Sequence, residues 1–142
     1  MNRYLLDTNV VSELHKHKPH GAVLEWLGSL GDGQLFLSAV TMGELQLGVE
    51  ITRVQDTQKA QEIELWADDL AKSYEILSMD TECFREWARF MHKTSRLLIE
   101  DAMLAATARV HDLTVATRNE TDFASFPVRV FNPFKFPRVQ KP

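Results

Sequence analysis

"RYLLDTN", residues 3–9, places a carboxylate directly after a short apolar run. The apolar run predicts a buried strand from Arg3 to Leu6. The polar trio Asp7-Thr8-Asn9 then offers side chains that can cap a helix. A carboxylate at the end of a buried strand is costly unless something binds it. The stretch therefore predicts a strand–helix unit with a candidate ligand-binding acid, Asp7, at its turn.

The remainder of the chain repeats this alternation of short apolar runs and amphipathic helices. Four further strands are predicted, at residues 34–38, 75–79, 113–117 and 128–131. Helical patterns separate them, and the longest helix is predicted from about Thr57 to Tyr74. Strands that alternate with helices are typical of a parallel α/β sheet that is covered on both faces.

Two helix starts are predicted from capping side chains. Thr41 is followed three residues later by Glu44, which is the spacing of a capping box. The start of a later helix is left open, because either Asp80 or Thr81 can cap it. Both helices begin close behind a predicted strand, as expected in an α/β unit.

Composition limits the class of protein. The chain has 142 residues, of which 44% are hydrophobic and 25% charged, and this predicts one domain over residues 1–142. With a formal net charge of -4, binding of a polyanion would need a local basic patch. The single cysteine, Cys83, excludes an intramolecular disulfide and a multi-cysteine zinc site. Because we find neither a membrane-span pattern nor a signal-peptide layout, we expect a cytoplasmic protein with no membrane partner.

Side chains with oxygen ligands recur where the carboxyl ends of the predicted strands should meet. In parallel α/β sheets, ligands bind beyond this edge. The candidates are Asp7, Glu44, Asp101, Asn119 and Asp122. Crowded carboxylates repel one another, and a divalent cation removes that repulsion. Because all the ligands are oxygens, Mg²⁺ or Mn²⁺ fits better than zinc. Phosphodiester hydrolysis is a reaction that such a centre supports.

Each acid also has a purely structural interpretation. Asp7 can simply cap the following helix, and Glu44 can be the second half of a capping box with Thr41. Asp101 can complement a helix dipole, and Asp122 can cap a loop. Four such coincidences at one sheet edge are less expected than a shared metal site.

Four segments of the chain resemble a known family. "LLDTNVVSEL", "LSAVTMGELQLGV", "IEDAMLAATARVHDLTVATRNETDF" and "VFNP" are similar to motifs of the PIN-domain ribonucleases. Within that family the sequence resembles the VapC-type toxins of type II toxin–antitoxin pairs, including the FitB and plasmid-stability branch. The likeness spans almost the whole chain and keeps the order and spacing of the motifs.

The resemblance implies a fold, an activity and partners. The fold would be a three-layer α/β/α PIN domain with a central parallel sheet of about five strands. The activity would be Mg²⁺- or Mn²⁺-dependent hydrolysis of RNA by an endoribonuclease. The partners would be an RNA substrate, a VapB-like cognate antitoxin, and a second copy of the chain in a homodimer, which can pair further with antitoxin in a hetero-oligomer.

The family's acidic residues map onto this sequence by position. Asp7, Glu44 and Asp101 match the first three acids, which we expect to be catalytic and to hold the metal. The supporting polar residues of the first and last motifs match Thr8, Asn9 and Thr117.

The last motif departs from part of the family. Asn119 stands where some members have an acid, so the resemblance implies a catalytic position occupied by a neutral amide. We expect Asp122, three residues later, to supply the missing charge; otherwise the site works with three acids. Glu100, directly before Asp101, either adds a charge or faces solvent, and we favour solvent.

Basic residues recur at helical spacing in one segment. Arg85, Arg89, His92, Lys93 and Arg96 predict a single basic stripe. Arg85, Arg89, Lys93 and Arg96 are candidate contacts to the RNA backbone, because an acidic cleft needs nearby cations to hold a polyanion. The alternative, an ordinary solvated helix face, is the interpretation we favour.

Two other functions remain open at this point. An aspartate phosphotransfer or phosphatase domain also places acids at strand ends, but position 9 is Asn where a dehalogenase-type phosphatase needs a second Asp. A catalytically inactive PIN-like binding module would keep the fold without the reaction. RNA cleavage with and without a chelator distinguishes the three.

Overall fold

Five parallel strands form one sheet in the computed structural model, which describes residues 2–137. The strands are β1 (Tyr4–Leu6), β2 (Leu35–Ser38), β3 (Glu75–Leu77), β4 (Thr114–Ala116) and β5 (Val130–Phe131). Their order in the sheet is β3-β2-β1-β4-β5, and every neighbouring pair is parallel. The predicted α/β class and the five-stranded parallel sheet are confirmed. Because β1 is central, Asp7 emerges at the middle of the carboxyl edge.

Seven α-helices accompany the sheet in the described part of the chain. They are α1 (Thr8–Glu13), α2 (Gly21–Gly28), α3 (Ala39–Gln55), α4 (Thr57–Ser73), α5 (Thr81–Met91), α6 (Ile99–His111) and α7 (Glu120–Phe123). Short 3₁₀ turns occur at Asp32–Gln34, Arg96–Leu98 and Pro133–Lys135. Between residues 2 and 137, no helix combines the length and the apolar character needed to cross a membrane.

The sheet separates two hydrophobic cores. Leu6 packs with residues of α1, α2, α3 and α4, including the buried Trp26. Leu5, its neighbour in β1, packs on the other face with residues of α6 and α7, including Ala105 and Phe123, and side chains of α5 pack against this second core. Since successive side chains of a strand point to opposite faces, an uninterrupted apolar strand is needed where helices cover both faces.

The predicted capping box at Thr41 is wrong. Helix α3 begins at Ala39, and the Oγ atom of Ser38 caps it by accepting a hydrogen bond of 3.0 Å from the N–H of Val40. Ser38 is also the last residue of β2, so the strand passes into the helix without a loop. Thr41 therefore lies inside the first turn, and Glu44 is one turn further along the helix rather than at its start.

The predicted basic stripe is also wrong in part. Helix α5 ends at Met91, so Arg85 and Arg89 share a helix but Lys93 and Arg96 lie beyond it. The hydroxyl of Thr94 donates to the carbonyl of Phe90 at 2.7 Å, and side chains of this type compete with the helical backbone pattern. The chain then turns, and only the first two arginines keep their helical relation.

The cap of α5 provides a test of the fold. The Oδ1 atom of Asp80 accepts a hydrogen bond of 2.9 Å from the N–H of Cys83, so Asp80 is the cap and Thr81 is the first helical residue. Asp80→Ala should lower the free energy of unfolding by about 1 kcal/mol, because it leaves that N–H without a partner. Urea denaturation measures the change.

Matched substitutions at the same place control this prediction. Asp80→Asn should stay close to the wild type, since Asn caps about as well as Asp. Thr81→Ala should also have little effect. Equal losses in Asp80→Ala and Thr81→Ala would contradict the assignment of Asp80 as the cap.

Candidate active site

Asp7 is held at the point where β1 passes into α1. Its N–H donates to the carbonyl of Ala116 at 2.9 Å, which extends the pairing of β1 with β4. Its Oδ1 atom accepts a hydrogen bond of 2.7 Å from the N–H of Thr8. Its Oδ2 atom accepts from the hydroxyl of Thr117 at 2.7 Å and from the amide of Asn9 at 3.1 Å. These donors come from both sides of the turn and fix the orientation of the carboxylate.

Glu44 is tied to Asp7 through Thr8. The hydroxyl of Thr8 donates to Oε1 of Glu44 at 2.8 Å, while the N–H of the same residue bonds Asp7. The hydroxyl of Thr41 lies 3.4 Å from that of Thr8 and is fully buried. One threonine therefore sets the position of two acids that are 37 residues apart in the chain.

Asp101 is the acid whose ionisation the site disfavours most clearly. It lies in the first turn of α6, and its pKa is raised from 3.8 to about 6. Burial is the largest cause of this rise, and the negative charges of Asp7, Asp122, Glu44 and Glu100 contribute the rest. These influences place Asp101 in the same electrostatic neighbourhood as the other acids, although it comes from the opposite face of the sheet.

The other two acids are shifted in the same direction. Burial raises the pKa of Asp7 against its three hydrogen bonds, and the charge of Asp122 adds to the increase. Partial burial also raises the pKa of Glu44, together with the charges of Asp7 and Glu100. All three acids are thus harder to ionise than in water, which is the electrostatic condition that a bound cation relieves.

The residues of the last motif take different places. Asp122 lies in the first turn of α7, a short helix that the sequence did not predict, and its charge acts on both Asp7 and Asp101. Asn119 is the N-cap residue of that helix, but its side chain makes no capping hydrogen bond. Its N–H donates to the Thr117 hydroxyl oxygen at 3.0 Å, so Asn119 supports the site through its backbone.

Glu100 is exposed, in agreement with the favoured expectation, yet its charge still raises the pKa of both Glu44 and Asp101. Of the four predicted RNA contacts, Arg89 forms an ion pair of 3.7 Å with Glu86. Within residues 2–137, the side chains of Arg85, Lys93 and Arg96 form no ion pair with a site acid. Arg85 and Arg89 belong to α5, which packs on the face of the sheet opposite to α1, the helix that follows Asp7.

The chemistry of the donor set fits a hard divalent cation. Every candidate ligand offers an oxygen, four of them as carboxylates, and Mg²⁺ and Mn²⁺ prefer such oxygens. As the side chains stand, no group of three or more His, Cys, Asp or Glu residues among residues 2–137 converges closely enough to hold an ion. The case for a metal centre therefore rests on donor type and on the shared electrostatic strain.

A groove opens beside Thr8 and Glu44. It has a volume of about 300 Å³ and runs between α1, α3 and α4. Its lining includes Thr8 and Glu44 at one end and the apolar side chains of Leu45, Ile63 and Trp66. A larger cavity of about 560 Å³ lies near the amino ends of β2 and β3. Because that cavity is at the opposite edge from the acids, its size does not make it the reactive site.

Sequence reasoning missed Arg118. Its N–H donates to Oδ1 of Asn9 at 3.2 Å, and its guanidinium carbon lies 4.5 Å from the ring centre of Phe134. The one sequence feature that pointed to Arg118 was its position between Thr117 and Asn119, two residues of the last motif. The ring of Phe134 comes from a distant segment, so the stacking could not be read from the motif.

Comparison with known proteins agrees with this geometry. The sequence profile described as "PIN domain" matches residues 4–128. The chain belongs to the PIN-domain family. The resemblance to PIN-domain proteins is thus confirmed, and the match includes all the acids discussed above.

Individual PIN-domain relatives are similar over nearly their whole length. Toxin FitB of Neisseria gonorrhoeae is 34% identical over 92% of this chain and 97% of its own. VapC ribonuclease Y4jK of Sinorhizobium fredii is 35% identical over 92% of this chain and 97% of its own. A crystal structure of FitAcB from Neisseria gonorrhoeae superimposes with a TM-score of 0.82 at 34% identity and covers 93% of this chain and 99% of that chain.

The shifted acid predicts how stability depends on pH. An acid whose pKa is raised in the folded state costs no stability below its unfolded value of 3.8, and the full cost applies above about 6. The melting temperature of chelator-treated protein should therefore receive a falling contribution from Asp101 as the pH rises through this window. Asp101→Asn removes that contribution, because an amide does not ionise, and should melt at a higher temperature at neutral pH.

Thermal denaturation at a series of pH values checks this effect. Asp69→Asn, which removes an exposed acid from α4, is the matched control and should keep the wild-type pH dependence. If Asp101→Asn and the wild type lose the same stability between acid and neutral pH, Asp101 is not the strained group.

Proposed function

We propose that this PIN-domain protein is the toxin of a type II toxin–antitoxin pair and acts as a Mg²⁺- or Mn²⁺-dependent endoribonuclease. The observation that carries the proposal is the gathering of Asp7, Glu44 and Asp101 at one sheet edge, where Thr8 bonds the first two and burial with nearby negative charge raises the pKa of each acid. Relatives named as a toxin and as a ribonuclease, similar over almost the whole chain, support the biological assignment.

Asp7, Glu44 and Asp101 would hold the cation. Mg²⁺ or Mn²⁺ supplies, when bound, polarisation of a phosphoryl oxygen and stabilisation of the leaving oxygen. Thr117, Asn9 and the N–H of Thr8 keep the Asp7 carboxylate in one orientation, with one lone pair on Oδ1 unused. Such preorganisation matters because a ligand that must first be ordered binds more weakly.

Glu44 would orient the attacking water molecule and accept its proton. Thr8 occupies its Oε1 atom at 2.8 Å, which leaves Oε2 to accept a hydrogen bond from an attacking water molecule. As a carboxylate, Glu44 would accept the proton that this water molecule releases. In the hydrolysis, the water oxygen bonds to phosphorus, the bond from phosphorus to the leaving sugar oxygen breaks, and that oxygen takes up a proton.

A phosphotransfer or phosphatase function receives less support. Such an enzyme of the dehalogenase type needs a second acid at position 9, and here the amide of Asn9 donates to Asp7 at 3.1 Å instead. Asn9 acts as a support for the first acid. An inactive binding module is the remaining alternative, and the cleavage experiment below decides against one or the other.

The proposed partner is a small VapB-like antitoxin that blocks the site. The groove between α1, α3 and α4 supports this, because its apolar lining continues to Glu44 and could receive an apolar segment of the antitoxin. A neighbouring structure is described as FitAcB, which is consistent with an assembly of this kind. We further propose that the chain acts in the cytoplasm as a homodimer, alone or in a hetero-oligomer with antitoxin.

Asp7→Asn tests the catalytic assignment. The substitution keeps size and most hydrogen bonds but removes the charge that would bind the cation. RNA cleavage in Mg²⁺ should fall by more than the roughly 10- to 100-fold that loss of a supporting group costs at a metal site. Cleavage is measured on labelled RNA with and without chelator, and growth is followed after induced expression.

Asp69→Asn again serves as the control, since it removes one exposed acid far along α4. It should cleave RNA and slow growth like the wild type. An Asp7→Asn protein that is as toxic and as active as the wild type at equal expression would refute the assignment. A wild type without metal-dependent cleavage would instead favour the inactive module.

Asp122→Asn tests whether the site uses a fourth acid. We propose that Asp122 supplies the last negative charge, because its charge acts on Asp7 and Asp101 and Asn119 is neutral. The variant should cleave RNA much more slowly at limiting metal with little change in melting temperature, and extra Mn²⁺ should restore part of the activity. Near-wild-type cleavage at limiting metal would leave a three-acid site, in which Asn119→Asp should raise metal affinity.

A further inference from the structure

Arg118 is held in place by an aromatic ring. Its guanidinium lies over Phe134 at 4.5 Å from the ring centre, a distance typical of a cation–π contact. Phe134 is itself fixed, because its N–H donates to the buried side chain of Asn132 at 2.9 Å and the ring of His20 packs against it at 5.2 Å. The stack orders a long side chain that would otherwise be mobile.

The backbone of Arg118 is anchored to the site. The hydroxyl of Thr117 donates to Asp7 at 2.7 Å, and the N–H of Arg118 donates to Asn9 at 3.2 Å. Both acceptors belong to the first motif at the end of β1. The guanidinium is therefore carried by the residue next to a direct partner of Asp7, at the rim of the acidic edge.

The guanidinium of Arg118 is not used within the described structure. Among residues 2–137 it forms no ion pair, and none of its nitrogen atoms donates a hydrogen bond to another residue. Its neighbour in the same surface region, Lys135, is instead neutralised by Glu120 at 2.8 Å. Stacking occupies the flat face of a guanidinium and leaves its N–H groups, which lie in the plane, directed outward for an anion.

We propose that Arg118, positioned by Phe134, binds a backbone phosphate of single-stranded RNA next to the phosphate that is cut. This inference rests on the proposed ribonuclease function and adds a positioning residue to it. A chain of net charge -4 with acids at its cleft repels a polyanion, so a cation at the rim is needed. Arg118 bonds to Asn9 of α1 and stacks on Phe134, which packs against the core on the α1–α4 face of the sheet. The arginines of α5 lie on the other face, so an RNA strand crossing the site would meet basic side chains on both sides of it.

Binding of a short fluorescent single-stranded RNA, measured by anisotropy in chelator so that no cleavage occurs, tests the inference. Arg118→Gln should weaken binding roughly tenfold, the loss expected for one charge-assisted hydrogen-bonded contact. The slope of log affinity against log salt should become shallower by about 0.7, the value for one phosphate contact on a single strand. In Mg²⁺, KM for RNA should rise by a similar factor while kcat changes much less.

Arg3→Gln is the matched control. Arg3 also lies over a phenylalanine ring, that of Phe36 at 5.7 Å, and donates to a carbonyl, that of His111 at 3.1 Å. It precedes β1 and so lies at the opposite edge from the acids. The control removes the same charge and should leave both the affinity and the salt slope unchanged.

Two conservative variants separate positioning from charge. Arg118→Lys keeps the charge and should retain most of the salt slope. Phe134→Tyr keeps the aromatic face and should bind RNA like the wild type, whereas Phe134→Leu removes the face and should weaken binding in part. A purely structural role for Phe134 would give equal RNA affinity in both variants once folding is verified by melting.

The failure of this inference differs from the failure of the proposed function. If the wild type cleaves RNA and Arg118→Gln binds it with unchanged affinity and salt slope, Arg118 is not a phosphate contact, and an acidic group of a protein partner becomes the alternative anion. If the wild type neither binds nor cleaves RNA, the ribonuclease function and the inference are both overturned. Equal weakening in Arg3→Gln also overturns it, because the effect would then be one of net charge.

Discussion

The carboxylate of Asp7 is buried between the ends of β1 and β4, and its hydrogen-bond donors join α1 to both strands. An uncompensated buried charge costs several kcal/mol, so the surrounding donors are a condition for placing an acid there. They are not sufficient, because burial still raises the pKa of Asp7 above its usual value. The carboxylate of Asp7 therefore still gains from a nearby positive charge, which fits a cation-binding role better than that of a simple helix cap.

The same edge gathers acids from helices on both faces of the sheet. Glu44 arrives on α3 from one face and Asp101 on α6 from the other, and the charges of Asp7 and Glu44 help to raise the pKa of Asp101. Thr8 limits the freedom of this arrangement, since it bonds two of the acids at once. The carboxylates are thus brought together by packing of the two cores, which supplies the stability that their repulsion removes.

Because both the site and the whole chain are acidic, a polyanion has to be bound by basic side chains close to the site. The segment that follows β4 reflects this, because Thr117 faces the acids while Arg118 turns to the ring of Phe134. Ordering a cation by stacking avoids an ion pair with the neighbouring acids, which would cancel its charge. Glu120, two residues after Arg118, shows the contrast, since it neutralises Lys135.

The apolar run before Asp7, the alternation of strands and helices, and the ordered acids were sufficient to predict the parallel α/β sheet and its acidic edge, because periodicity and residue type are local properties. The cap at Ser38, the end of α5 at Met91 and the short helix containing Asp122 were not predicted, since several side chains nearby can cap or break a helix equally well. The raised pKa of Asp101 and the stack of Arg118 on Phe134 depend on residues far apart in the chain. Only tertiary packing decides burial and distance between such groups, and these two quantities set the electrostatics of the site.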